Sequence, residues 1–237
     1  MGLGPIKNEI MPLTFQRSEA NRLFTDRKRT NISKAAEQKL IVFLLKRIPS
    51  FINSDHLTLI GTFGSVLVFA GFLLARYTSI NYLLVGIIGL AINWFGDSLD
   101  GRLAYYRNTP RKWYGFALDI MMDWLNIGLI GLGYMFYAEG FAKILAFVLV
   151  VLYGWAMIIS QIRYKITNEY AIDSGLVGPT EIRIVISIIL VFEVLFKGSI
   201  VYFATLISLA LFFINLLASR KLLKAGDLRD KNGGDYL

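Results

Sequence analysis

The segment GDSLDGRLAYYRNTPRKWYGFALDIMMD, residues 96–123, places four aspartates between two apolar stretches of the chain. Asp97 and Asp100 are three residues apart at the end of one stretch, and Asp119 and Asp123 are four apart near the start of the next. Residues at these spacings share one face of a helix. A short connection favours antiparallel neighbouring helices, so we expect the four carboxylates to converge on one spot.

Four converging negative charges require compensation. Even one charge at the centre of a bilayer costs on the order of 3 kcal/mol, and like charges add repulsion. A solvated loop would explain Asp97 and Asp100, but it explains poorly the two aspartates within the apolar run FALDIMMDWLNIGLIGL. Carboxylate oxygens suit hard divalent cations such as Mg²⁺, Mn²⁺ or Ca²⁺, and an open site of this kind most often holds Mg²⁺ at a phosphate substrate. The segment therefore predicts a metal site with one or two ions.

The composition indicates a helical membrane protein. The 237 residues are 55% hydrophobic and 14% aromatic, with a mean hydropathy of +0.54. The chain has no cysteine and one histidine, which excludes disulfides and thiolate metal sites and leaves no second histidine for a histidine-based metal site. In a membrane protein the formal charge of +8 is more typical of cytoplasmic loops and anionic-lipid contacts than of nucleic-acid binding.

The chain divides into one membrane domain and two tails. Residues 1–33 are polar and basic and lack a signal-peptide core, so we expect a cytoplasmic tail. Residues 34–52 predict an amphipathic juxtamembrane helix on the membrane surface, the alternative being the first turn of a longer helix. Residues 53–225 form the predicted six-helix domain, and 226–237 a cytoplasmic C-terminal tail.

Six apolar stretches have the length of a membrane span. They lie at about 57–75, 80–98, 113–137, 141–161, 181–197 and 200–219. Basic residues concentrate after the second and fourth stretches and in the C-terminal segment, whereas the alternate connections hold little more than Arg76, Lys143 and Lys197. This asymmetry predicts an all-α integral membrane fold of six transmembrane helices with both termini, and the four aspartates, at the cytoplasmic face.

The aspartate segment resembles the signature of the CDP-alcohol phosphatidyltransferase family, D-x-x-D-G-x-x-A-R, about eight residues, then G-x-x-x-D-x-x-x-D. The matching residues are Asp97, Asp100, Gly101, Ala104, Gly115, Asp119 and Asp123. The motif covers only about a tenth of the chain, but it is specific. Six spans and an amphipathic N-terminal helix are also typical of that family.

The resemblance implies transfer of a phosphatidyl group from CDP-diacylglycerol to the hydroxyl of a polar alcohol acceptor, with release of CMP. It implies dependence on Mg²⁺ or Mn²⁺, with two ions. By the motif, Asp97, Asp100 and Asp119 are expected metal ligands, and Asp123 is the expected catalytic base, which also shares the second metal. Phosphoryl transfer needs such a site, because metals neutralise the diphosphate and a base near the nucleophile takes its proton.

The resemblance also assigns the small motif residues. Gly101, Ala104 and Gly115 are expected to make room for the cytidine nucleotide, although glycine in membrane helices also permits close packing alone. The family often forms homodimers, and its distribution favours a bacterial inner membrane with membrane lipids as partners.

The chain departs from the motif at Tyr105, where the family has arginine, and nine residues separate it from Gly115. Tyrosine cannot replace a guanidinium that forks onto a phosphate. Two interpretations stay open at this point. Either Arg102 or Arg107 reaches the same place and binds the nucleotide, or the protein is a catalytically weakened CDP-lipid-binding relative.

The segment 161–183 follows the fourth stretch on the same predicted face as the aspartates. Its candidate acceptor-binding residues are Arg163, Lys165, Thr180, Glu181 and Arg183. Basic groups here suit an anionic acceptor such as inositol phosphate or glycerol phosphate. They suit equally well a role as cytoplasmic anchors of the helices.

Two other observations bear on function. Glu193 and Lys197 are four residues apart on the fifth stretch, which predicts a structural ion pair near its outer end. Buried carboxylates are also typical of a divalent-cation transporter. The aspartates cluster at one membrane face and do not form a path across it, which favours the transferase.

Overall fold

The structure, a computed structural model, describes residues 34–167 and 178–231. The predicted N-terminal tail 1–33, part of the 161–183 segment and the last six residues lie outside these ranges. The helices of the described ranges are α1 (Lys34–Leu45), α2 (Ser54–Tyr77), α3 (Leu83–Tyr106), α4 (Lys112–Tyr137), α5 (Ala142–Thr167), α6 (Pro179–Leu195) and α7 (Ser199–Lys231). A single 3₁₀ turn, Ile80–Tyr82, precedes α3, and the described ranges contain no strand.

Five of these helices, α2, α3, α4, α5 and α7, are long and apolar enough to cross a membrane. The all-α membrane class predicted from the composition is thereby confirmed. α6 has only 17 residues, about 26 Å at 1.5 Å per residue, against a hydrocarbon core of about 30 Å. The sixth span therefore stays a prediction.

Helices α2 and α3 pack backbone against backbone. A methyl group added at Gly64 would lie 2.5 Å from the carbonyl oxygen of Gly89 and 2.9 Å from the Cα of Asn93. At Gly96 it would collide with the backbone of Leu57 and Gly61. Only glycine allows this approach, and the close contact sets the start of α2 against the end of α3, where two of the four aspartates lie.

Helix α1 is shorter than the predicted helix over 34–52, since it ends at Leu45. Pro49 explains the difference, because proline cannot donate a helix hydrogen bond and disfavours helical geometry in the residue before it. One face of α1 is buried through Glu37, Ile41 and Leu45, while Phe43 on another face is exposed. The two apolar side chains of the buried face pack against α2 and α3 at the end of the bundle that carries the aspartates.

The main apolar core lies between α2 and the later helices, toward the other end of the bundle. Polar groups join helices there as well: Asn215 of α7 donates a buried hydrogen bond of 2.7 Å to the carbonyl oxygen of Leu152 in α5. The described contacts of Glu193 do not include the expected ion pair with Lys197. Its buried carboxylate instead accepts hydrogen bonds from the Tyr137 hydroxyl at 2.6 Å and from the backbone nitrogens at the start of α7. A carboxylate is stabilised there by the positive end of the helix dipole.

Helix α7 continues to Lys231, into the segment predicted as a C-terminal tail from residue 226. With 33 residues it extends roughly 50 Å, well beyond the bilayer core. Arg229 donates hydrogen bonds of 2.8 and 2.7 Å to the carbonyl oxygens of Lys165 and Ile166, which satisfies backbone acceptors at the end of α5.

Candidate metal centre and adjoining cavity

Three of the four predicted aspartates form one group. One carboxylate oxygen from each of Asp97, Asp119 and Asp123 lies within 4.8 Å of the other two, and all three side chains are half-buried. We call this group the three-aspartate cluster. Oxygens this close could share a cation, and carboxylate oxygens alone suit a hard ion such as Mg²⁺ or Mn²⁺. The expectation that α3 and α4 bring their aspartates together holds for these three.

Asp100 lies beside the cluster and is not part of this group. Its Oδ2 accepts a hydrogen bond of 2.7 Å from the hydroxyl of Thr58, and its carbonyl oxygen accepts one of 2.9 Å from Ser54. Both donors come from the first turns of α2, which the glycine contacts hold against α3. The other carboxylate oxygen of Asp100, Oδ1, accepts a hydrogen bond from the backbone nitrogen of Gly101, and the residue lines the cavity described below.

Arg183 is the main cation at the cluster. Its Nη2 donates to Asp97 Oδ2 over 2.7 Å and its Nε donates to Asn93 Oδ1 over 2.7 Å. Asn93 in turn donates bonds of 3.0 Å to the hydroxyl of Ser65 and to the carbonyl oxygen of Gly61. These contacts form a buried polar network that crosses from α6 through α3 to α2. The Nη1 of Arg183 is buried and has no hydrogen-bond partner within the described ranges.

Tyr153 of α5 is a site residue that the sequence reasoning missed. It lies within electrostatic reach of all three clustered aspartates and of Arg183, so this part of α5 lies near the cluster. A tyrosine in an apolar membrane helix is typical of an interfacial anchor. Only the spacing of helices in the fold shows that this one faces the carboxylates.

An open cavity of about 190 Å³ adjoins the cluster. Its acidic wall is formed by Asp97, Asp100 and Asp119, and the predicted nucleotide-binding residues Gly101, Arg102, Ala104 and Gly115 also line it. An added methyl group at Gly101 or at Gly115 would meet no atom within 4 Å. Neither glycine therefore serves close helix packing, and both leave open space in the cavity.

The motif departure at Tyr105 also lies in the cavity wall. Its ring packs against the apolar cluster that α1 forms with α2 and α3, which accounts for an aromatic residue at this position. Arg102 is buried at the same wall.

Arg107 points elsewhere. Its guanidinium donates hydrogen bonds to four backbone carbonyl oxygens in residues 48–52, including one of 2.9 Å to Pro49 and one of 3.2 Å to Ile48. It does not line the cavity. The expected nucleotide contact of Arg107 is thus replaced by a structural role, in which it holds the turn between α1 and α2.

The candidate acceptor residues separate into two sets. Arg183 contacts the three-aspartate cluster through Asp97. Thr180 donates a hydrogen bond of 2.9 Å to the buried Glu37 of α1, and Glu181 accepts one of 3.0 Å from the backbone nitrogen of Gly178 at the start of α6.

Two basic candidates lie at the end of α5. Arg163 and Lys165 do not line the cavity, although Tyr164 between them does. The ring of Tyr164 packs 5.7 Å from that of Phe116 in α4, which joins the two helices beside the cavity.

No protein-family model matches the chain, and comparison with curated proteins gives no significant match. The family resemblance therefore rests on the motif residues themselves.

Proposed function

We propose that the protein is a metal-dependent CDP-alcohol phosphatidyltransferase. It would move a phosphatidyl group from CDP-diacylglycerol to the hydroxyl of a polar acceptor and release CMP. One observation carries the proposal: the three-aspartate cluster adjoins an open cavity into which Gly101 and Gly115 present no side chain. A cation-binding group beside space for a nucleotide is what phosphoryl transfer requires.

The four aspartates have different roles in this proposal. Asp97 and Asp119 would hold Mg²⁺ or Mn²⁺ together with Asp100, which lies beside the three-aspartate cluster, and a second ion would use Asp123 as a ligand. A bound divalent cation supplies charge neutralisation for the diphosphate. The acceptor hydroxyl oxygen attacks the phosphorus that carries diacylglycerol and its proton passes to Asp123. The bond from that phosphorus to the bridging oxygen breaks, and CMP leaves with the electron pair.

The acceptor is an anionic alcohol in this proposal, with inositol phosphate and glycerol phosphate favoured. Arg183 supports this choice, because its buried Nη1 has no hydrogen-bond partner in the described part of the chain while Nη2 and Nε are engaged. A buried guanidinium donor without a partner costs free energy, and a phosphate oxygen would satisfy it.

The membrane arrangement is part of the same proposal. α6 is the sixth span, short but packed against α3 where Leu190 approaches Gly86, and α1 lies on the membrane surface with Phe43 directed outward. The cavity opens at the end of the bundle where Arg102, Arg111 and Lys112 lie. Basic residues favour the cytoplasmic side, so the site faces the cytoplasmic leaflet of a bacterial inner membrane.

A cation transporter would need a second polar site on the other side of the membrane. Glu193 is the buried carboxylate at the other end of the bundle. Its oxygens are occupied by donors from Tyr137, Gly198, Ser199 and Ile200. Because these bonds saturate the carboxylate, the observed contacts favour the transferase.

The test is release of CMP by the purified protein in detergent with CDP-diacylglycerol and Mg²⁺ or Mn²⁺, across a panel of acceptors. We expect release that depends on one acceptor, disappears in Asp123→Asn and persists in Glu139→Gln, a control at the opposite end of the bundle. Binding of CDP-diacylglycerol with no release for any acceptor would identify a weakened relative. Metal flux into liposomes with no CMP release would identify a transporter.

A further inference from the structure

The connection between α3 and α4, residues 107–111, forms one side of the cavity and is held differently at its two ends. Arg107 is bonded to backbone carbonyl groups, as described above. Arg111 instead forms an ion pair with Asp55 in the first turn of α2. Its guanidinium carbon also lies 4.0 Å from the centre of the Tyr114 ring. The Arg107 guanidinium is therefore bound to backbone carbonyl groups, whereas the Arg111 guanidinium contacts a carboxylate and an aromatic ring.

The contacts of Arg111 are easily exchanged. The side chains of Arg111 and Asp55 are 52% and 37% exposed, and an exposed ion pair of this kind contributes little to stability. Both residues line the cavity. A phosphate group that enters the cavity therefore competes with the Asp55 carboxylate at little cost, and it offers the guanidinium a fork of oxygens.

The charges of the cavity have a definite order. Asp97, Asp100 and Asp119 form an acidic wall, and Arg111 with Lys112 forms a cationic rim. A diphosphate suits both, because one phosphate can share a cation with the acidic wall while the other contacts a guanidinium at the rim.

We propose that Arg111 is the guanidinium that contacts the diphosphate of the ligand, and that it exchanges Asp55 for a phosphate when the ligand enters. Tyr105 occupies the position where the motif has arginine, and Arg107 is committed to the turn over residues 48–52. Arg111 supplies the missing charge from the cavity rim, and Asp55 holds it there until the ligand arrives. The choice of a nucleoside diphosphate as ligand rests on the proposed function.

Binding of CDP and of inorganic pyrophosphate, each with Mg²⁺, to the full chain in detergent tests this inference by calorimetry. We expect Arg111→Gln to weaken binding about tenfold, the value of a charge-assisted hydrogen bond. Asp55→Asn removes the competing carboxylate and should tighten binding by up to about fivefold. The two halves of one ion pair thus shift affinity in opposite directions, which a merely structural pair would not do.

A second ion pair provides the matched control. Arg76 and Glu139 pair at the far end of the bundle, also exposed, and the hydrogen bond from Arg76 lowers the pKa of the Glu139 carboxyl, so the pair is charged at neutral pH. Arg76→Gln and Glu139→Gln should leave both affinities unchanged. Arg111→Lys, which keeps the charge but not the fork, should fall between wild type and Arg111→Gln. Arg111→Lys also distinguishes a lost phosphate contact from a folding defect, because it keeps the positive charge.

The outcomes separate the two proposals. Opposite shifts for Arg111→Gln and Asp55→Asn support the role of Arg111. Shifts in the same direction, or none, overturn it while CDP binding by the wild type leaves the transferase intact. If pyrophosphate binds with opposite shifts and CDP does not bind, Arg111 keeps its role and the nucleotide donor is wrong. If the wild type binds neither probe, both proposals fail.

Discussion

Arg183 Nη2 and Asp97 Oδ2 lie 2.7 Å apart, and this ion pair joins α6 to the three-aspartate cluster. The two side chains are only 15% and 21% exposed, so each is the main compensation of the other's charge. A divalent cation at the cluster would compensate the same carboxylates. Arg183 and the metal therefore compensate the same carboxylates, so the loss of one should change the effect of the other.

Replacement of Arg183 by glutamine should destabilise the metal-free protein by about 3 kcal/mol, because it leaves a partly buried carboxylate unpaired. Added Mg²⁺ or Mn²⁺ should recover part of this loss. The measurement is thermal unfolding in detergent with and without metal. If metal raises the Tm of Arg183→Gln no more than that of wild type, Arg183 and the metal do not compensate the same carboxylates.

The cluster itself predicts a metal affinity. We expect Asp119→Asn to weaken Mn²⁺ binding by more than about tenfold, since even the loss of a residue that only supports a ligand costs 10- to 100-fold. Titration of free Mn²⁺ by electron paramagnetic resonance measures this directly. Glu139→Gln removes one carboxylate far from the cluster and serves as the control. Equal affinity in Asp119→Asn and the control would exclude the cluster as the metal site.

Three glycines, one in α2 and two in α4, should respond to alanine in different ways. Gly64→Ala forces the methyl group into the backbone of α3 and should cost about 1–3 kcal/mol or more in stability. Gly115→Ala meets nothing within 4 Å, so its stability should match wild type while CDP binding weakens. Gly128→Ala also meets nothing within 4 Å but lies outside the cavity, and it should change neither. Unfolding and CDP binding are measured on all three variants. Together they distinguish a glycine needed for helix packing from one that leaves space for the ligand. Normal CDP binding by Gly115→Ala would remove this residue from the nucleotide pocket.

The buried carboxylate of Glu193 should matter for stability and not for metal. Glu193→Leu leaves the donors of Tyr137 and of the start of α7 unsatisfied, which should cost on the order of 1–3 kcal/mol. Lys197→Gln should be neutral, because the observed partners of Glu193 are the tyrosine and the helix start. Unfolding of both variants, with Mn²⁺ affinity as a second readout, provides the check. A large loss of stability in Lys197→Gln would instead support the Glu193–Lys197 ion pair that the spacing alone predicts.

Much of the candidate site was predictable because its signal is local. Asp97 with Asp100, and Asp119 with Asp123, show their shared helix faces in the spacing alone, and the apolar flanks indicate the membrane. Arg107 shows the limit of such reasoning. Its position two residues after Tyr105 suggested a replacement for the motif arginine, but the direction of a side chain at a helix end depends on which carbonyl groups lie nearby. Those belong to residues 48–52, far away in the sequence.

The all-helical membrane class and the aspartate-bearing helix ends can be predicted from the amino-acid sequence, because hydropathy and helical periodicity depend on neighbouring residues only. The distant groups around the candidate site are seen only in the folded bundle. Tyr153 faces the aspartates from α5, Arg183 reaches Asp97 from α6, and Asp55 pairs with Arg111 at the cavity rim. No pattern in the chain encodes these meetings. They follow from the close packing of α2 on α3 and from the placement of α5 and α6 around that pair, which depends on contacts across the whole bundle.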